Sequence, residues 1–259
     1  MAAEIPAEAI ATELDLSEDA RNEVVEIVRT RLTPSFLSDH NICDHTIHRF
    51  CTARNYEPDE STSMLAEYIK WRKEYGVEKL TSDHPMVQKE ASTKKAYFLG
   101  YTKTRQPLIL VHGGGPDPAW SPVEDVKAYA LYMLETAIAH MPEGVTKFTL
   151  ISDYSSFGYA NLDNNLLQEG AKILQSYYPE RLGDIYLVNY PFIMWGIWKI
   201  VSLWVDEKTR GKFHFVASDE ELLQIAEPHI LPDFLGGTMA DHMPEDNLSG
   251  VQRLANKPQ

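Results

Sequence analysis

The sequence predicts an α/β protein with a mainly parallel sheet, preceded by a small all-α subdomain. Apolar residues recur at helical spacing over roughly the first 90 positions. From Lys95 onward, short apolar runs alternate with helical stretches, the pattern of strands joined by crossover helices. The chain has 259 residues, 44% of them hydrophobic, enough for one large domain with an appendage or two modest ones. The boundaries expected are 1–92 for the helical subdomain, 93–240 for the α/β domain and 241–259 for a loose polar tail.

The elements follow in order. Ser17-Glu18-Asp19-Ala20 opens a helix carrying Val24, Val25 and Val28 and ending near Thr33-Pro34. A second helix is expected from Ser38 to Asn55, with Ile47, Phe50 and Cys51 on one face. A third starts after Pro58, where Met64, Leu65, Tyr68, Ile69 and Trp71 recur until Gly76. Ala96–Leu99, Leu108–Val111, Phe148–Ile151, Ile185–Val188 and Phe213–Val216 read as strands. Between them, helical patterns cover Val123–His140, Asn164–Tyr178, Phe192–Val205 and Glu220–Ala226, with Asp163 and Asn164 as capping residues.

A formal charge of −14 argues against a nucleic-acid partner, which requires clustered Lys and Arg. Cys43 and Cys51 are the only cysteines. On one helix they would stand about 12 Å apart, too far for a disulfide. A reduced, cytoplasmic protein is expected, with no signal peptide in the acidic first 19 residues. His40, Cys43, His48 and Cys51 match no familiar zinc spacing, so no metal is expected. No phosphate-binding glycine loop is present, and no cofactor is expected. His112-Gly113-Gly114-Gly115-Pro116 resembles the oxyanion-hole glycines of lipases, but the sequence has no Gly-x-Ser-x-Gly elbow. It reads as a turn leaving a strand, and a serine hydrolase stays a remote alternative.

The run from Pro191 to Val205 holds three of the five tryptophans and one charge. It is shorter than the roughly 20 residues a transmembrane helix needs. It is also apolar on every side, so a single core-facing stripe does not account for it.

The ordered motifs resemble the CRAL-TRIO lipid-binding family, of the fungal phosphatidylinositol transfer protein type. They are Ile47-His48-Arg49-Phe50-Cys51-Thr52-Ala53-Arg54-Asn55-Tyr56-Glu57, Trp71-Arg72, Tyr177-Tyr178-Pro179-Glu180-Arg181-Leu182-Gly183 and Asn189-Tyr190-Pro191-Phe192. Asp206, Thr209, Lys212 and Phe213, then Leu231-Pro232-Asp233-Phe234-Leu235-Gly236-Gly237, complete the set. The resemblance implies a sheet flooring an apolar lipid pocket under a mobile gate helix, with Phe192, Trp195, Trp198 and Trp204 meeting the membrane. It implies a headgroup site of Glu180, Thr209 and Lys212, with Lys212 neutralising the phosphate and Glu180 accepting from inositol hydroxyls. Phosphatidylinositol is therefore the favoured ligand. Phosphatidylcholine is disfavoured, because Gly158 and Ala160 stand where hydroxyl residues are found in relatives that exchange it. The partners implied are one phospholipid and a transient membrane surface, and no catalysis is implied. Another hydrophobic cargo, such as a sterol, a tocopherol- or retinoid-like lipid, or haem served by Tyr154 and Tyr159, is the alternative.

Overall fold

The computed structural model describes residues 16–113, 121–158, 161, 163–205, 207–240, 249–255 and 257–258. The chain divides into two compact units, residues 1–71 and 72–259.

The first unit is helical. α1 (Glu18–Leu32) is capped by the Ser17 hydroxyl, which accepts from the Ala20 amide at 3.2 Å. Thr33-Pro34 ends it and also opens α2 (Pro34–Asp39), with Pro34 in the first helical turn. The single helix expected over 38–55 is broken. α2 stops at Asp39, Asn41 takes a left-handed backbone (φ 54°), and α3 (Asp44–Thr52) starts afresh after Cys43. The His40 ring, 2.8 Å from the Phe36 carbonyl, helps close the end of α2 locally. α4 (Pro58–Tyr75) ends at Gly76, whose φ of 77° suits a residue without Cβ. Val25, Val28, Ile47, Phe50, Leu65 and Ile69 are buried, and Phe50 packs on Tyr68 with ring centroids 5.0 Å apart. Cys51 is a buried free thiol in this core, and burial pushes its pKa up to about 11. That makes it an inert packing residue.

The second unit, which begins within the last turn of α4, continues with α5 (Pro85–Ala91), a short helix with proline in its first turn that the periodicity did not single out. The sheet then runs β1 (Ala96–Tyr101), β2 (Pro107–His112), β3 (Phe148–Asp153), β4 (Leu182–Val188) and β5 (Phe213–Phe215), in that spatial order. β1 is antiparallel to β2, and every other pairing is parallel. Parallel neighbours need crossovers, supplied by α6 (Val123–Ala139), α7 (Asn164–Lys172) and α8 (Met194–Val201) with α9 (Glu207–Arg210). Asp163 caps α7 by accepting from the amides of Asn165 and Leu166 at 2.9 and 3.1 Å. The expected helix to Tyr178 stays α-helical only to Lys172 and widens into a π-helical turn over Ile173–Tyr177.

The register separates two sheet faces. On one, Tyr97, Leu110, Ile151, Tyr186 and His214 lie in a row. This face packs solidly on Leu222 and Ala226 of α10 (Asp219–Ile225) and its end, and on Leu231 and Leu235. The expected loose tail is corrected for residues 249–255. Ser249 accepts from the Phe98 amide at 2.8 Å, Arg253 donates to the Phe98 carbonyl at 3.1 Å, and Leu254 is fully buried. This segment covers the outer edge of β1, which would otherwise present unpaired backbone groups.

Candidate functional site

The other sheet face carries two cross-strand rows. Phe98, Ile109, Leu150, Ile185 and Phe213 form one cross-strand row, and Val111, Ser152, Leu187 and Phe215 the next. Leu110 and Ile151 are fully buried on the packed face, yet Val111 and Leu150, one residue along the same strands, are only half-buried. On the same face Phe98, Ile109, Ser152, Ile185 and Leu187 are buried. This face is thus mostly apolar, with Val111 and Leu150 its half-buried members.

The segment from Pro191 to Val205 stands over the β5 side of this face. Its helical part is shorter than expected, two turns from Met194 to Val201, followed by turns through Trp204. Trp195 stacks on Phe215 with centroids 4.5 Å apart, and Trp198 lies 4.6 Å from Phe213. Tyr190 meets Trp195 and Phe215 edge-on. Met194 and Ile197 are buried. Phe192 is 89% exposed, Leu203 80%, Ile200 49% and Trp195 44%. The apolar surface offered outward therefore consists of Phe192, Trp195, Ile200 and Leu203, while Trp198 and Trp204 are half-buried. Sequence reasoning missed Ile200 and Leu203 because a segment apolar all round gives no periodicity from which to choose a face.

Glu180, Thr209 and Lys212 lie at the ends where β4 and β5 begin. Glu180 sits two residues before β4 with a left-handed backbone (φ 59°), unusual for a residue with Cβ. The turn carrying it is braced. Tyr178 donates to Glu135 at 2.5 Å, Glu135 takes a two-pronged contact from Arg72 at 2.7 and 2.8 Å, and Arg181 donates to the Thr146 carbonyl at 3.0 Å. Burial pushes the Glu135 carboxyl up, but Arg72 and Tyr178 outweigh it and its pKa is lowered overall. Glu180 pairs with Lys208 at 3.0 Å, one residue before Thr209. The Lys212 amide bonds to the Thr209 carbonyl at 3.1 Å, and the Lys212 carbonyl accepts from Ile185 of β4 at 2.8 Å. These bonds set Lys212 beside the middle of β4, while the cation in direct contact with Glu180 is Lys208.

At the opposite ends of the strands, Asp153 closes β3. It is 3% exposed and accepts from His112 Nδ1 at 3.0 Å, Asn189 Nδ2 at 2.9 Å, and Ser155 N and Oγ at 3.1 and 2.9 Å. Burial alone would raise its pKa, but these bonds hold it at about 2, below the ordinary 3.8. A carboxylate with a depressed folded pKa stabilises the fold above its unfolded value and loses that contribution as pH falls through the folded one. The expected result is about 2 kcal/mol of stability lost between roughly pH 5 and pH 2. Chemical denaturation against pH checks it, and Asp153→Asn should lack that component. Ser155 donates to Asp153, not to His112, so these groups form no nucleophile–base pair. The Tyr154 ring lies where a Cβ on Gly113 would stand, 2.5 Å away, which gives Gly113 a steric role. Gly114, Gly115, Pro116, Tyr159 and Ala160 lie outside the described residues, as does Asp206. Among the described residues no group of three or more His, Cys, Asp or Glu side chains could hold a metal, and no helix is long and apolar enough to cross a membrane.

A family model of the CRAL/TRIO domain matches residues 91–237, more than half of the chain. The chain belongs to the CRAL/TRIO domain family. A CRAL-TRIO domain-containing protein of Schizosaccharomyces pombe is 30% identical over 172 residues, 65% of this chain and 16% of that protein. The phosphatidylinositol/phosphatidylcholine transfer protein SFH11 of Arabidopsis thaliana is 29% identical over 247 residues, 85% of this chain and 64% of that protein. The phosphatidylinositol transfer protein PDR17 of Saccharomyces cerevisiae is 26% identical over 206 residues, 74% of this chain and 56% of that protein. The chain thus spans between 16% and 64% of the length of these three relatives. The crystal structure of Sfh5 shares the fold, with a TM-score of 0.72 at 16% identity over 93% of this chain and 96% of that one. The α/β fold with a five-stranded, mostly parallel sheet and an N-terminal helical region is that of this CRAL/TRIO chain's relatives.

Proposed function

We propose that the chain is a non-enzymatic carrier that lifts one lipid, most favourably phosphatidylinositol, from a membrane and delivers it to another. One observation carries the reading. Phe192, Trp195, Ile200 and Leu203 are exposed along the segment around a two-turn helix that meets the aromatic rings of β5, on a sheet face where Val111 and Leu150 are half-buried. A lipid whose two chains hold some 30 methylenes resists entry into water by roughly 25 kcal/mol, at about 0.8 kcal/mol per CH₂. A carrier must therefore offer an apolar floor and stay docked while the chains cross. Aromatic rings settle at headgroup level, which suits Trp195 and Phe192 to that docking. From Lys199 to Lys212 there are four basic and two acidic residues, a local excess in an acidic chain.

Lys212 supplies a compact cation for the lipid phosphate, Thr209 a hydroxyl, and Glu180 an acceptor for inositol hydroxyls that a choline headgroup lacks. The names of the relatives support the inositol lipid as cargo. The chain is expected to work from the cytoplasm, meeting membranes transiently. Transfer of labelled phosphatidylinositol between donor and acceptor vesicles tests the reading. The expected result is protein-dependent transfer of phosphatidylinositol in clear excess over phosphatidylcholine, and equal transfer of both removes the headgroup assignment.

A second reading keeps the pocket and changes the cargo to a neutral hydrophobic molecule. It rests on the apolar character of the rows Phe98, Ile109, Leu150, Ile185 and Phe213 and Val111, Leu187 and Phe215, which any hydrophobic cargo would suit. Displacement of phosphatidylinositol by such a lipid would select it.

A further inference from the structure

The gate segment is tied to the rest of its unit at both ends, and the two ties differ in strength. At its start, Asn189 leaves β4 with a left-handed backbone (φ 52°) and donates from Nδ2 to Asp153 Oδ1 at 2.9 Å. That acceptor is a buried carboxylate, itself fixed by three further bonds from His112 and Ser155. The neighbouring backbone bond, from the Tyr154 amide to the Val188 carbonyl at 3.0 Å, extends the same anchorage. At the other end Val205 is buried, and the hydrogen bond to the segment comes from a neutral side chain. Gln175 Nε2 donates to the Trp204 carbonyl at 3.0 Å. Both groups are neutral and half-buried, and Gln175 rides on the π-helical turn Ile173–Tyr177, a distortion that recurs at functional sites. A charge-assisted bond is roughly twice as strong as a neutral one. Between these ties, α8 meets β5 through the rings of Trp195, Trp198, Phe213 and Phe215. A bilayer can cover those surfaces again when they part, so they do not choose which end leaves first.

We infer that Gln175 is the latch of the gate and the Asp153–Asn189 bond its pivot, so the segment opens first at its Trp204 end and swings about Asn189. This deepens the carrier reading and rests on it. It also places the opening next to Thr209 and Lys212, so that the headgroup residues and the apolar floor are uncovered by one movement. Gln175 is in this sense a positioning residue, with no part in holding the cargo.

Hydrogen exchange of the full chain, without added lipid, tests the assignment independently of the cargo. The reporting amides are Ser202, Leu203 and Trp204, bonded to the carbonyls of Trp198, Ile200 and Val201 at 2.8, 3.1 and 2.9 Å. Gln175→Ala should speed their exchange by about three- to tenfold, as loss of one neutral bond implies. Met194 and Trp195 should be unmoved and the melting temperature nearly unchanged. Gln175→Glu, similar in size but unable to donate when ionised, should do the same. Asn189→Gly keeps the backbone conformation while removing the amide side chain, and should speed exchange at both ends. Unchanged exchange at 202–204 in both Gln175 variants overturns the latch, and so does greater loosening at 194–195 than at 202–204. Faster exchange at 202–204 in a chain that transfers no lipid between vesicles leaves the latch standing and counts against the carrier reading.

Discussion

Phe192→Asp combined with Leu203→Asp is expected to reduce vesicle binding and lipid transfer by about 100-fold or more while leaving the fold intact. Phe192 and Leu203 are 89% and 80% exposed, so the folded chain gains little from their apolar character. At a bilayer each would bury a side chain worth about 1.5–3 kcal/mol, and aspartate reverses the preference. Two such losses amount to at least two powers of ten in partitioning. Vesicle flotation and transfer rate measure the effect, and the melting temperature serves as the control for folding. Full transfer by the double variant would show that the membrane is met elsewhere on the surface.

Glu180→Ala together with Lys212→Ala is expected to lower phosphatidylinositol loading by about 100-fold, since hydrogen bonds to charged groups contribute about 1.5–3 kcal/mol each. Thr209→Ala, which removes a single hydroxyl, should cost about fivefold. Glu180 is held in position by the braced Tyr178–Arg181 turn and by Lys208, so its loss also releases that lysine. Loading of a lipid without an inositol headgroup distinguishes the effects. If that lipid is lost to the same extent, the substitutions have damaged the pocket and not its selectivity. Mass spectrometry of lipids extracted after incubation with mixed vesicles gives both numbers.

Much of the architecture is legible from local pattern alone. The strands at 96–101, 107–112, 148–153 and 182–188 announce themselves as apolar runs between helical stretches, because a parallel sheet covered on its faces needs such runs. What was not legible depends on single backbone conformations or distant partners. The break at 40–43 turns on Asn41, and apolar periodicity passes over a one-residue change of conformation. The order of residues 249–255 comes from bonds to β1, some 150 positions away. The π-helical turn leaves no compositional mark. The proposed headgroup residues Glu180, Thr209 and Lys212 were found through motif resemblance, since none of them stands out by charge or spacing. The ties proposed for the gate join residues 36 and 29 positions apart, and neither pair could be matched without coordinates.

The carrier proposed above holds a single lipid beneath the segment that contains Met194–Val201. Native mass spectrometry of the full chain, after incubation with phosphatidylinositol-containing vesicles and removal of those vesicles, tests it most directly. The account predicts a complex heavier than the chain by one phosphatidylinositol molecule, and a spectrum of bare chain alone contradicts it.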